Sequence, residues 1–274
     1  MSPLWRDQIQ VFFAPDRLDF VRSYRGIRPK PSTRFAVACE RKQGSPAWES
    51  PLGQLEQAIA DTAGIDISIT VSNHFVRYAV VPAQTKIASP SELYAYAAFH
   101  MREIYGERAG AWELSMSEWD PCSGGVCAAI ERNLLERLEA LAIHHKLKLK
   151  HIEPYLTGAF DQWRKRFHGE RIWFALIEAG RLCIASLSQG AWQRISNQKI
   201  LHGVEDELLA ALDQEALLFS GRKETAESVY LLAPEYPELT LPTDCGWHII
   251  SLQTESMLAP SLYPAPSMIS GSKN

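Results

Sequence analysis

The chain has 274 residues, 46% hydrophobic and 22% charged, with a formal net charge of -4. That is ample apolar material for a core, more length than one typical domain needs, and none of the basic excess that nucleic acid attracts. No apolar run approaches the roughly 18 to 20 residues that span a bilayer, and the first ten residues, with Trp5, Arg6 and Asp7, lack the apolar core of a signal peptide. The reading is an intracellular protein with no direct membrane insertion.

Three strands are predicted first, over residues 8–14, 18–24 and 34–40. Val11, Phe12 and Phe13 run into a turn at Ala14-Pro15-Asp16-Arg17, after which Leu18 and Phe20 alternate with charged residues. Gly26, Pro29 and Pro31 make residues 25–32 a loop. A helix over 52–62 places Leu52, Leu55 and Ile59 on one face and is stopped by Gly64. Strands over 66–71 and 75–81 are broken at Ser72-Asn73-His74. Ser89-Pro90-Ser91-Glu92 opens the next helix, whose stripe is Leu93, Tyr96, Ala97, Met101 and Ile104, and Gly106 ends it.

Strands over 112–118 and 126–130 flank a turn at 121–125, and a helix over 131–144 follows. Lys146, Lys148 and Lys150 alternate with Leu147, Leu149 and His151 in a strand with one basic, solvent-facing side. An amphipathic helix over 156–167 ends in Trp163, Arg164, Lys165 and Arg166, charges that complement its dipole rather than mark a nucleic-acid patch. The opening pattern then returns: strands over 171–178, 182–187 and 191–198, a helix over 204–219 and a strand over 228–232. A charged loop over 220–228 lies between that helix and strand. A last strand covers 247–252, and the tail from Ala259 is expected to be disordered. A meander leading into a helix and strand, used twice, predicts a two-lobed α/β fold with a cleft between like halves.

Metal chemistry finds little support. Of Cys39, Cys122, Cys127, Cys183 and Cys245, only Cys122 and Cys127 are close, and no second pair completes a zinc site. His144 and His145 are adjacent and diverge on a helix, while the spacing of His74, His100 and His151 does not indicate convergence. No Gly-x-Ser-x-Gly elbow and no Gly-x-x-x-x-Gly-Lys loop occurs.

Two-lobed folds of the actin, sugar kinase and Hsp70 superfamily hold ATP between hairpins that carry an acidic residue and glycine, wrapping phosphates with backbone N–H groups and organising magnesium. The first hairpin here has no glycine, and Pro15 removes a donor. The second, Glu178-Ala179-Gly180-Arg181, has half of the pattern, so Glu178, Gly180 and Arg181 are the candidate remnants of a phosphate hairpin. Ala233-Pro234-Glu235-Tyr236-Pro237-Glu238 offers no glycine pair for an adenosine.

Residues 72–105, with Arg77 in a strand ending Val80-Val81-Pro82 and Ser91-Glu92-Leu93 opening a helix, resemble the actin-like PilM family of type IV pilus assembly. They are also similar to the cytoplasmic domain of the type II secretion protein L. Val126-Cys127-Ala128-Ala129-Ile130 before a helix, and Ile152-Glu153-Pro154-Tyr155 before the linking helix, carry the resemblance over roughly residues 65–190. It implies a duplicated RNase H-like (actin-like) fold with a small inserted α+β subdomain. The expected first lobe spans 1–160, with the insert about 80–149; the second lobe spans 161–258 and the tail 259–274.

It also implies a cytoplasmic scaffold, peripheral to the inner membrane through a PilN-like membrane-anchored partner, since the chain lacks the span that follows the domain in the secretion branch. Tyr94, Tyr96 and Trp112 are the candidate partner-binding residues. The departures at both phosphate hairpins imply a pseudo-ATPase without a resident cofactor. An ATP- and magnesium-binding ATPase or kinase of the superfamily is the alternative, and an unrelated α/β binding protein a third reading.

Overall fold

The computed structural model describes residues 7–24, 30–117, 119–220 and 227–252. The predicted tail, most of the glycine- and proline-bearing loop before the third strand, and most of the charged loop over 220–228 lie outside the described residues.

Alternation builds the first sheet. β1 (Gln8–Phe13), β2 (Arg17–Ser23) and β3 (Thr33–Ala38) form an antiparallel meander, and β4 (Asp66–Val71) returns parallel to β1 after α1 (Glu49–Ile59). Every second residue of β1, Ile9, Val11 and Phe13, is buried beside Ile67, Ile69 and Val71 of β4. α1 adds Leu52, Leu55 and Ile59 to this core, and α3 (Arg132–His144) adds Leu134 and Leu138. β8 (Lys148–Pro154) closes the sheet against β4, giving the order β3-β2-β1-β4-β8.

Between β4 and α3 the chain makes a separate layer. β5 (Val76–Val81), α2 (Pro90–Tyr105), β6 (Trp112–Met116) and β7 (Gly125–Glu131) form a three-stranded sheet, β5-β7-β6, under one helix. Its small core holds Val81, Ala97, Met101 and Cys127. The start of α2 is set by its capping residue: the Ser89 hydroxyl accepts from the Glu92 amide at 3.2 Å, and the Glu92 carboxylate accepts from the Ala88 amide at 2.8 Å. Gly124 has φ +77°, and a Cβ there would stand 2.4 Å from the Val81 carbonyl oxygen, so only glycine fits this turn. The insert thus runs from Val76 to Glu131. The expectation of 80–149 is corrected, because α3 packs in the first-lobe core and β8 pairs with β4. An apolar stripe on a helix does not say which sheet it covers.

The second lobe repeats the first. β9 (Arg171–Glu178), β10 (Arg181–Ser188), β11 (Ala191–Lys199), α5 (Val204–Ser220), β12 (Glu227–Leu232) and β13 (Trp247–Ser251) give the order β11-β10-β9-β12-β13. One face of this sheet, with Ala175, Ile177, Leu182 and Ile184, packs on Leu208 and Leu212 of α5. The other face carries Phe174, Leu176, Cys183 and Ala185 and belongs to the same core as the first lobe. α4 (Tyr155–Trp163) fills the space between: Tyr155 meets Phe12 at 4.9 Å, and Phe160 meets Trp192 at 4.5 Å. Each fully buried large apolar side chain contributes about 1.5–3 kcal/mol, so a shared core of this kind joins the lobes firmly.

Candidate functional site

The end of the sheets where both hairpins turn is the place to look for chemistry. In the first hairpin Asp16 is exposed, and its carbonyl accepts from the Cys39 amide at 2.7 Å. Arg17 reaches the other lobe, pairing with Glu235 at 2.6 Å as well as with Asp19 at 2.9 Å. Burial opposes the Arg17 charge, but Glu235 and Asp19 outweigh it and hold its pKa above the ordinary value. Burial likewise pushes the Asp19 and Glu235 carboxyls upward, against the pull of Arg17.

The second hairpin is folded under the first lobe. Gly180 supplies the left-handed residue of its two-residue turn, at φ +70°. Glu178 is 4% exposed, and both of its oxygens are taken: the Ser72 hydroxyl donates to Oε1 at 2.5 Å and the Asn73 amide donates to Oε2 at 3.1 Å. His74 donates from Nε2 to the Ala179 carbonyl at 2.9 Å, a tautomer that this acceptor requires. Burial and the nearby Arg181 lower the His74 pKa, favouring the neutral ring. Asn197 of β11 donates to the carbonyls of Asn73 and Val76 at 2.9 and 3.0 Å, and Tyr78 donates to the Asn73 side chain at 2.7 Å. The break between β4 and β5 is therefore a plug, seated in the second lobe by a carboxylate and an amide.

Burial raises the Glu178 carboxyl to about 7, with the bonds from Ser72 and Asn73 working the other way. A carboxylate that organises magnesium must face the cleft with a free oxygen. Glu178 instead accepts one hydrogen bond on each oxygen from the protein itself, from the Ser72 hydroxyl and the Asn73 amide. Gly180 is exposed at the turn, and Arg181 lies buried beside Glu178.

A cavity of about 420 Å³ opens between the start of α5 and the loop after β12. Glu205, Asp206, Glu235 and Glu238 line it, where an adenosine pocket was sought in the sequence. The three acids at the start of α5, Glu205, Asp206 and Glu207, complement its dipole. Four carboxylates around one opening repel a polyphosphate.

Of the residues proposed for a partner, Tyr94 and Trp112 share a groove of about 170 Å³ with Ala98, Arg102, Leu114 and Arg132. Tyr94 is 45% exposed, while Trp112 packs edge-on to Tyr105 at 5.2 Å. Tyr96 does not line this groove. It lies two positions along the helix from Tyr94, packs against the insert's core and meets His100 at 4.6 Å. His100 pairs with Glu103 and His151 with Glu153, so the three histidines considered together each have a separate partner. Among the described residues no group of three His, Cys, Asp or Glu could hold a metal ion.

Sequence reading missed Ser72, Asn73, Asn197, Arg17 and Glu235 as junction residues. The only signal was a polar break, Ser72-Asn73-His74, between two apolar strands.

No protein-family model and no curated protein sequence matches the chain. Solved structures do. The cytoplasmic domain of EpsL, an inner-membrane component of the type II secretion system of Vibrio cholerae, is similar over 90% of each chain, with 11% identity and a TM-score of 0.57. The PilM–PilN type IV pilus biogenesis complex aligns over 86% of this chain and 83% of the other, with 14% identity and a TM-score of 0.56. A Bacteroides thetaiotaomicron protein with an actin-like ATPase fold covers 84% of each chain, with 9% identity and a TM-score of 0.56. The chain has the two-lobed actin-like fold that these proteins share.

Proposed function

We propose that this chain is a cytoplasmic, non-catalytic actin-like scaffold of a type IV pilus or type II secretion platform, binding a membrane-anchored partner of the PilN kind. The observation that carries the non-catalytic part is the engagement of Glu178 by Ser72 and Asn73, which leaves the one acidic residue of a phosphate-type hairpin inside the protein. Pro15 in the other hairpin and the acid-lined opening near α5 work in the same direction. The platform part draws on the folds of EpsL and of PilM in its complex with PilN. No helix among the described residues is long and apolar enough to cross a membrane.

The groove beside Tyr94 and Trp112 is the proposed partner surface. Isothermal titration calorimetry with peptides from the cytoplasmic ends of single-span pilus and secretion membrane proteins tests it. One such peptide should bind the wild type and lose at least tenfold in affinity on Tyr94→Ala, a loss of about 1.4 kcal/mol. A folded sample that binds none of them contradicts the reading.

A further inference from the structure

Arg181 is 7% exposed, yet among the described residues its guanidinium has no hydrogen bond and no ion pair, and its Nε is wholly buried without an acceptor. The two terminal nitrogens are not so enclosed, which leaves one edge of the fork open. A buried charge without a partner is costly, and native proteins rarely leave one unmatched.

Register explains the company it keeps. Arg181 stands opposite Glu178 on β9 and Lys199 on β11, so the three side chains share one face at the end of the sheet. Glu178 attracts the Arg181 charge from the neighbouring strand, but its oxygens accept from Ser72 and Asn73 and not from the guanidinium. From the insert comes Arg77, whose Nη1 donates to the carbonyls of His74 and Val76 at 3.3 and 2.9 Å. Its charge acts on Arg181 in the same sense as burial, lowering the pKa of that guanidinium. Three cations thus meet one carboxylate already in use, beside a His74 held toward its neutral form.

We infer that Arg181, Lys199 and Arg77 form a binding site for a small tetrahedral oxyanion, of phosphate or sulfate size, held without a metal ion. The open edge of the Arg181 fork offers the planar donors that such oxygens accept from, and the exposed Lys199 ammonium adds a mobile charge at the rim. This differs from magnesium–nucleotide binding, which needs a free carboxylate and backbone amides. Arg77 belongs to the insert and the other two cations to the second lobe, so the anion ties these parts together. The inference is independent of the proposed partner groove.

Thermal unfolding of the full chain in rising inorganic phosphate, with chloride at matched ionic strength as the control, tests it. At about ten times the dissociation constant phosphate should raise Tm by roughly 4 °C over chloride. Arg181→Met should abolish that rise and unfold at a higher temperature than the wild type in phosphate-free buffer, because it removes a buried guanidinium that makes no hydrogen bond. Lys199→Ala alters an exposed residue and keeps the fold; it should raise the half-saturating phosphate concentration about threefold. Glycerol phosphate in a parallel series separates the sources: an equal response assigns the site to phosphorylated ligands, a weaker one to the free anion. A wild type that responds to phosphate no more than to chloride, or an Arg181→Met protein that keeps the response, overturns the inference.

Discussion

The hairpin between β1 and β2 turns in solvent, with Asp16 exposed, whereas its counterpart between β9 and β10 is tucked beneath the first lobe with Glu178 and Arg181 buried. The two sheets have the same strand order, so the difference does not come from topology. It comes from the residues that face the junction. Ser72 and Asn73, which follow β4, enter the second lobe and bond a buried carboxylate, whereas the matching segment after β12 sends Glu235 to the first lobe, where it meets the partly exposed Arg17 in an ion pair. A duplicated architecture can keep its shape while the opening between its halves is filled by hydrogen bonds.

The comparison is broken most sharply at Glu178. Replacing it with alanine strands the Asn73 amide and the Ser72 hydroxyl in a dry interior and should cost about 3 kcal/mol in urea unfolding. Asp16→Ala, at the matching place in the other hairpin, should stay within about 0.5 kcal/mol. Equal losses at the two sites would mean that the hairpins are used alike.

The pH dependence of stability sharpens the same point. Because the folded protein holds the Glu178 proton up to about 7, against 4.5 for a free glutamate, the folded state binds more protons than the unfolded state between those values. The stability this group contributes is therefore complete below about pH 4.5 and is lost as pH rises through 7, a change of roughly 3 kcal/mol. Subtracting the profile of Glu178→Gln from that of the wild type isolates it. A difference that is flat across this window would show the carboxyl to be solvated.

At the first hairpin the expected effects are smaller. The Arg17–Glu235 pair is about a quarter exposed on the arginine side, so solvent weakens it, and a double-mutant cycle with Arg17→Ala and Glu235→Ala should give a coupling of roughly 1 kcal/mol. A coupling indistinguishable from zero would leave the plug as the sole polar tie measured between the lobes. Tyr94→Ala should change stability least, by under about 0.5 kcal/mol, since the side chain is exposed and outside the insert's core, while partner binding falls.

Much of this molecule can be read without coordinates. The strand predicted over 171–178 is β9 to the residue, and the helix opened by Ser89 starts as its capping serine and proline require. Those features are local: period-two burial in strands and a side chain that closes its own helix end. The junction is the opposite case. Ser72 and Glu178 are 106 positions apart, and nothing in either segment announces the other. Glu178-Ala179-Gly180 reads equally as a phosphate hairpin and as an ordinary tight turn, and only the plug above it decides how its carboxylate is used. The boundary of the insert was hidden for a related reason, since α3 has the same apolar stripe whichever sheet it covers.

That the junction is a structural joint and not a nucleotide site is tested most directly by the melting temperature in Mg-ATP compared with inorganic triphosphate at equal ionic strength. The account predicts no difference at millimolar concentration, because it takes the Glu178 carboxylate to be engaged by Ser72 and Asn73 and the acid-lined opening near α5 to repel a polyphosphate. A Mg-ATP protein that melts several degrees above its triphosphate control, as ligand near a hundred times its dissociation constant would produce through about 2.7 kcal/mol, contradicts it.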